Sequence, residues 1–406
     1  MALNLEKIRA QFPVLHQEVN GRPLVYFDNA ATSQKPKMVM DAIAQYYNKE
    51  NSNIHRGVHY LSQLATDKYE KAREAIRRLL NAKAVEEIIF TRGTTEAINL
   101  VANCLTRSLF KPGDEIIISA IEHHSNIVPW QMACEQSGAV LKVIPVLDSG
   151  ELDMEAYKAL LNEKTKFVTV NSISNALGTV NPIEEIIALA HAKGALVLID
   201  GAQSVPHAKV DVQALDADFY CFSAHKMYGP TGVGVLHGKK EILEKMPPYH
   251  GGGEMIKEVT FEGTTYNDLP FKFEGGTPNI AGGIGVEAAV RFMEEVGVEN
   301  IANYEAELLA YALEKLKEIE GVQFIGEAKN RAGLVSFNLE GIHPYDAGTV
   351  LDKLGIAIRT GHHCAQPVMD RFDVPGTMRA SFAVYNTKEE IDVFIAGIHR
   401  VKQMFG

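Results

Sequence analysis

The sequence predicts an α/β protein: a large unit on a mainly parallel seven-stranded sheet, followed by a smaller α+β unit. Three observations predict it. From about residue 86 to 240, seven short β-rich runs alternate with amphipathic helical ones, the signature of strands joined by crossover helices. After "EGGTPN" the pattern changes to long helices and then to shorter strands. The chain of 406 residues is also long for one domain.

The seven strand candidates are "EEIIFT", "DEIIIS", "VLKVIPV", "KFVTVN", "LVLID", "DFYCFS" and "GVGVLHG". Among the runs between them, "TEAINLVANCL" and "IEEIIALAHAKG" carry apolar residues at helical spacing, with Gly194 as a stop for the second. Beyond residue 280, "GGIGVEAAVRFMEEVG" and "IANYEAELLAYALEKLKEIEG" read as long helices, with a boundary near residue 296. The strands "GLVSFNL", "IAIRT" and "RASFAVYN" follow. No internal repeat or low-complexity segment interrupts this order.

Composition narrows the function. Charged residues make up 22% and the formal net charge is −11, which argues against a broad footprint for nucleic acid or an anionic membrane surface. No apolar run approaches the ~20 residues of a membrane helix. The opening "MALNLEKIRAQFPVL" mixes charges into its apolar residues and lacks a secretory core, so a cytoplasmic location is the expectation. Cys104, Cys134, Cys221 and Cys364 lie far apart and form no C-x-x-C pair, so neither a disulfide framework nor a zinc ribbon is indicated and no metal site is expected. A cysteine with a special role is then a free thiol.

The strongest local signal is "LVLIDGAQSVPH" followed by "DFYCFSAHKMYGPTGVGVL". One strand ends at Asp200 and the next just before Ser223-Ala224-His225-Lys226. Ligands of open α/β sheets sit beyond the carboxyl ends of strands, so Asp200 and Lys226 face one crevice. An acid and a lysine there suit pyridoxal phosphate: the lysine forms the Schiff base and the acid keeps the pyridine nitrogen protonated. Taken alone, the pair reads more readily as a surface salt bridge. "TRGTTEAINL" places Gly93, Thr94 and Thr95 between a strand and a helix, where free N–H groups and the helix dipole favour a phosphate; a simple Thr N-cap is the plainer reading. "GPTGVG" leads into a strand rather than a helix and reads as a tight turn, not a dinucleotide fingerprint. His123 and His124 in "SAIEHHSNIVPW" follow another strand, where a histidine can lie over a planar ring or move a proton. "RTGHHCAQP" sets Cys364 behind Arg359, His362 and His363, surroundings a working thiol needs and a structural one does not.

Together these segments resemble the class V aminotransferases, and within them the SufS-type cysteine desulfurases. The resemblance runs through "YFDNAATSQKP", "NIHRGVHYLS", "TRGTTEAIN", "EHHSNIVPWQ", "SNALGT", "DGAQSVPH", "FSAHKMYGPTGVG", "FEGGTPN", "RTGHHCAQP" and "MRASFAVYNT", nearly the whole chain. It implies a fold-type I pyridoxal-phosphate enzyme acting as a homodimer, with sites at the subunit interface. The division it implies is an N-terminal segment over 1–18 packing with the small domain, a cofactor-binding domain over 19–295, and a small domain over 296–406 carrying the thiol loop.

By the same resemblance, Lys226 binds the cofactor, Asp200 pairs with its ring nitrogen and His123 stacks on the ring, while Asn175 and Gln203 approach the ring oxygen. Thr94, Thr95, Ser223 and His225 hold the phosphate, with Thr277 reaching over from the partner subunit. Arg379 clamps the substrate carboxylate, helped by Arg359, and His55 and Arg56 line the site across the interface. Cys364 then takes sulfur from L-cysteine, leaving L-alanine and a persulfide destined for iron–sulfur cluster assembly. The expected acceptor is a SufE-like protein, with a zinc-dependent SufU-like protein as the alternative; "HPYD" places Tyr345 where zinc-engaging relatives carry a histidine. Selenocysteine lyase activity is the nearest alternative in the same site. An ordinary aminotransferase has no use for Cys364, and a scaffold without activity has no use for lysine, acid, thiol and arginines together.

Overall fold

The structure, a computed structural model, describes residues 3–405. A short strand, β1 (Val25–Tyr26), precedes the main sheet. That sheet comprises β2 (Ile88–Thr91), β3 (Glu115–Ser119), β4 (Val140–Ile144), β5 (Thr165–Asn171), β6 (Leu196–Asp200), β7 (Phe219–Ser223) and β8 (Gly234–Gly238). Its order is β2-β8-β7-β6-β5-β3-β4. Pairs among β3 to β7 are parallel, whereas β8 runs antiparallel to both neighbours. All seven strands anticipated from the sequence are present.

Helices cover both faces, which is why the central strands are near-continuous apolar runs instead of alternating ones. Val168 and Val170 of β5 face one cluster with Ile186 and Tyr157, while Phe167 faces the other with Trp130 and Phe110. Apolar contact on both sides fixes register, so the polar residues at the strand ends arrive at one edge. Gly234 at the start of β8 is needed for closeness: a Cβ there would sit 2.4 Å from Gly93 Cα. That approach brings the loop at residues 93–95 against the sheet.

The long helices Ile280–Val296 and Val298–Lys317 meet at Gly297, whose φ of 87° lies in the left-handed region. Beyond them β9 (Val322–Phe324), β10 (Leu334–Leu339), β11 (Ile356–Ala357), β12 (Arg359–Gly361) and β13 (Thr377–Ser381) form the second set of strands. The four-stranded sheet has the order β9-β10-β13-β12. The run "IAIRT" is therefore not one strand. It breaks at Ile358, with β11 pairing in parallel with β1 and β12 pairing with β13. "RASFAVYN" likewise leaves the sheet after Ser381, where Ala383 N–H and Asn386 Nδ2 turn inward to bond Asn386 Oδ1 and Glu390.

Arg9 and Phe12 dock against the later part of the chain. Arg9 pairs with Glu390 at 2.8 Å, and the Phe12 ring lies 4.5 Å from that of Tyr385 and 5.4 Å from that of Phe292.

Candidate active site

The carboxyl ends of β3, β5, β6 and β7 border a cavity of about 220 Å³. Lys226 lies on the short turn Ala224–Lys226 that follows β7, and Asp200 closes β6. Both line the cavity, as do Gln203, Asn175 and His123. Thr94, Thr95, Ser223 and His225 line one end, and Cys364, Arg379 and Arg359 another. Twelve side chains singled out in the sequence thus converge on one hollow.

Three do not. His55 bonds Glu70 at 2.9 Å, Arg56 pairs with Glu254 at 2.9 Å, and neither borders this cavity. Thr277 borders a separate hollow beside Arg92 and Asn279. Its loop is pinned by Glu274, whose carboxylate takes both terminal nitrogens of buried Arg73 at 2.6 and 3.0 Å and Phe90 N–H at 2.7 Å. Within one chain these three residues stand outside the site.

Electrostatics differ across the cavity. Burial brings the Lys226 amine down to about 8, opposed by the charge of Asp200. Burial also pushes the Asp200 carboxyl up, against the Ala202 N–H donated at 2.9 Å and the Lys226 charge. Burial and the nearby Lys226 cation hold His123 down to about 3, so its ring is neutral. The tautomer follows: His123 Nδ1 accepts Ser125 N–H at 3.0 Å, which puts the proton on Nε2.

At the far end, the helix Thr94–Ser108 starts from Gly93 as N-cap, so neither threonine is the cap. Thr94 N–H donates to Ser223 Oγ at 2.8 Å, and the Thr95 and Ser125 hydroxyls meet at 2.6 Å. A first helical turn leaves N–H groups without intrahelical partners, and hydroxyls gathered around it make an anion cradle.

Arg379 is 2% exposed. Its Nη1 donates to Asn175 O at 2.7 Å and Nη2 to Asp28 Oδ1 at 3.2 Å, while buried Nε has no partner. Arg359, with its side chain 44% exposed, sits 3.8 Å from Asp28 Oδ2. One carboxylate thereby steers two guanidinium groups. Asp28 itself is pushed up by burial and held down by Arg379 and Arg359.

Cys364 is exposed, unlike buried Cys104 and Cys221. His363 and Cys364 both adopt left-handed backbone, with φ of 53° and 55°. Their loop is fastened from outside. His124 N–H donates to Cys364 O at 2.7 Å, Gln366 N–H to His124 Nε2 at 3.1 Å, and Asn175 Nδ2 to His363 O at 2.6 Å. The His363 ring is buried on Thr377, Nε2 to Oγ1 at 2.8 Å, and burial holds it down to about 2. It shapes the loop as a neutral group. Asp28 and buried Glu122 have no role in the sequence reading, and His124, read there together with His123, fastens the thiol loop. Asp28 had a signal, since "YFDNAA" follows a short strand, but its arginine partners lie more than 300 positions away.

The donor set fits pyridoxal phosphate: a lysine and an acid at adjacent strand ends, a neutral imidazole and a hydroxyl-lined helix start. Unpartnered Arg379 Nε offers an anion site besides.

Known proteins agree. Residues 25–394 match the aminotransferase class-V family. A probable cysteine desulfurase of Halalkalibacterium halodurans is 55% identical over 404 residues, covering 100% of this chain and 99% of that protein. The cysteine desulfurase of Dickeya dadantii is 51% identical over 403 residues, covering 99% and 98%. Among solved structures, the cysteine desulfurase CsdA of Escherichia coli, in an S-sulfonic acid form, superposes with a TM-score of 0.93 at 40% identity over the whole of both chains. With its fold, its strand-end lysine and acid, and a match over most of its length, the chain belongs to the class-V aminotransferase family.

Proposed function

We propose that the protein is a pyridoxal-phosphate-dependent cysteine desulfurase that converts L-cysteine to L-alanine and carries the sulfur as a persulfide on Cys364. The observation that carries this reading is one cavity lined by Lys226, Asp200, Arg379 and an exposed thiol. An aminotransferase needs the first three; only sulfur removal needs the fourth.

When bound, the cofactor supplies an electron sink that makes a carbanion beside the substrate amine tolerable. Asp200 is placed to hold a proton on the ring nitrogen, and neutral His123 to lie against the ring without adding charge. Thr94, Thr95, Ser223 and His225 would hold the cofactor's phosphate. Arg379 takes the substrate carboxylate through its fork, which fixes where the Cα proton and the sulfur point. Burial lowers the Lys226 amine, which favours its free-base form and suits it to move that proton. The Cys364 thiolate attacks the substrate sulfur: an S–S bond forms, the C–S bond breaks, Cβ takes the proton released when the thiolate formed, and Lys226 returns its own proton to Cα. Alanine leaves and the persulfide remains.

The enzyme acts as a homodimer in this reading, with Thr277, His55 and Arg56 reaching the partner's cavity; their position outside their own chain's cavity supports it. The persulfide passes to a SufE-like acceptor for iron–sulfur assembly. Tyr345, 68% exposed, offers no zinc ligand to a SufU-like protein. Four free cysteines and a reducible product suit the cytoplasm. No helix among the described residues is long and apolar enough to cross a membrane.

The test is incubation of the pure protein with L-cysteine, quantifying alanine and mapping persulfide by mass spectrometry. Alanine with sulfur on Cys364 is the expected result. Pyruvate-type products, or persulfide on Cys104, Cys134 or Cys221, overturn the assignment.

A further inference from the structure

The segment "TSQK", residues 32–35, has no part in the chemistry described so far, yet it converges on a single atom. The carbonyl oxygen of His225, in the peptide that leads into Lys226, faces four donors. They are Ser33 N–H at 3.1 Å, Thr32 Oγ1 at 3.0 Å, Ser33 Oγ at 3.2 Å and Lys35 Nζ at 2.8 Å. A carbonyl oxygen has two lone pairs, so this one is oversubscribed.

Lys35 is the unusual member. Its ammonium has three hydrogens and three oxygens to take them: His225 O, Ser33 O and, at 3.4 Å, Thr32 Oγ1. No carboxylate is among these partners, and burial pushes the amine down to about 7. Burying a cation without an anion is costly, and a fold keeps such a group only where something offsets the cost.

Two further observations tie the segment to the lysine turn. Ser33 Oγ accepts Tyr228 N–H at 2.8 Å, so one side chain grips both flanks of Lys226. Tyr228 has a φ of 66°, a left-handed conformation that a bulky residue adopts only under constraint. Met227 and Gly229 N–H groups, both bonded to Ala224 O, close the turn on itself.

We propose that Thr32, Ser33 and Lys35 form a positioning clamp for Lys226, in which the Lys35 ammonium locks the His225–Lys226 peptide and so aims the Lys226 side chain across the cavity. The orientation of that peptide plane sets the direction of the Lys226 Cα–Cβ bond, because φ of Lys226 is the only torsion between them. Lys35 touches none of the reacting groups. Its effect runs through the backbone.

The proposal rests on Lys226 being the cofactor lysine, and the experiment separates the two ideas. Borohydride reduction of the parent holoenzyme followed by peptide mapping tests that reading by itself. The clamp is tested with Lys35→Met, which keeps the apolar four-atom stem and removes the donor, and Lys35→Arg, which restores charge and donors. Hydrogen exchange by mass spectrometry on each holoenzyme reads the Met227 and Gly229 amides directly. In Lys35→Met they should exchange at least tenfold faster while the strands Thr165–Asn171 and Leu196–Asp200 keep their protection. The kcat should fall about tenfold with KM within threefold, and Lys35→Arg should recover most of both losses. Unchanged exchange at the turn overturns the clamp. So does faster exchange spread evenly over the sheet, which would mark Lys35 as a general stabiliser.

Discussion

Replacing Arg379 by alanine tests the substrate end of the site. The guanidinium is buried at 2% exposure, and its Nε is free of any protein partner. A substrate carboxylate held there gains two charge-assisted hydrogen bonds out of water, each worth about 1.5–3 kcal/mol. Losing one partner of such a buried pair costs roughly 3–5 kcal/mol. At about 1.4 kcal/mol per decade, kcat/KM for L-cysteine falls roughly 10²- to 4 × 10³-fold. Arg359, with 44% of its side chain exposed, is screened by solvent, so Arg359→Ala should cost under about 1 kcal/mol, roughly fivefold.

Alanine at 379 also strips Asn175 O and Asp28 of a donor, so a drop in activity alone is ambiguous. Binding of L-cysteine and of cysteamine, its analogue without a carboxylate, resolves this. Both are followed by the cofactor's visible absorption in a Cys364→Ala background, which prevents turnover. Arg379→Ala should weaken L-cysteine at least a hundredfold and cysteamine less than fivefold. Equal losses for the two ligands would refute the carboxylate assignment.

Lys226→Ala should abolish alanine production and leave no lysine-bound cofactor after borohydride treatment; parental turnover would show that another lysine does the work. Asp200→Ala should instead bind cofactor weakly and slow Cα proton removal, read as a kinetic isotope effect with α-deuterated cysteine. Cys364→Ala should retain cofactor and lose desulfuration, whereas alanine at Cys104, Cys134 or Cys221 should cost less than twofold in activity, checked by persulfide mapping. His363 titrates near 2 when folded and near 6.5 when unfolded, so the unfolded chain binds the extra proton between those values. The stability that neutral His363 contributes is therefore full above about pH 6.5 and is lost as pH falls. The parent's advantage in unfolding free energy over His363→Asn, from denaturant titrations, should shrink from pH 7 to pH 4.5, by at most about 1.4 kcal/mol per pH unit; a constant difference would mean that His363 is not buried as a neutral group.

The lysine, the acid and the phosphate cradle were legible because each sits where a periodic pattern stops. A strand ending "LVLID" or "DFYCFS" says where its last residue points, since the α/β topology delivers all such ends to one edge. Contacts that join distant segments leave no such trace. Nothing near Lys35 in sequence announces His225, and nothing near Asp28 announces Arg379. "IAIRT" misled for a related reason. Five residues of unbroken strand pattern do not record that Ala357 pairs with Tyr26 in one sheet and Arg359 with Arg379 in another. The break at Ile358 turns Arg359 toward Asp28 and starts the loop that bears the thiol. Thr277, His55 and Arg56 came from resemblance alone, and a single chain leaves them outside the cavity.

How Cys364 is held also decides which step an acceptor accelerates. Two consecutive left-handed residues cost on the order of 1–2 kcal/mol each, and bonds from His124 and Asn175 to the loop's carbonyls offset that cost. A loop fastened in this way delivers its thiol to the cavity without rearranging, so formation of the first persulfide needs no partner. It also does not swing out readily to unload, because leaving the cavity would strand the His124 N–H and the Asn175 amide without acceptors and break the His363–Thr377 bond. The acceptor therefore has to bring its own cysteine to the exposed side of Cys364. In rapid-quench experiments, the first equivalent of alanine per subunit should appear at the same rate with or without a SufE-like protein. Only the later, steady-state phase should rise with acceptor concentration under mild reductant. Acceleration of the first turnover would mean that the acceptor reorganises the loop, and the rigid seating argued from the His124 and Asn175 contacts would be wrong.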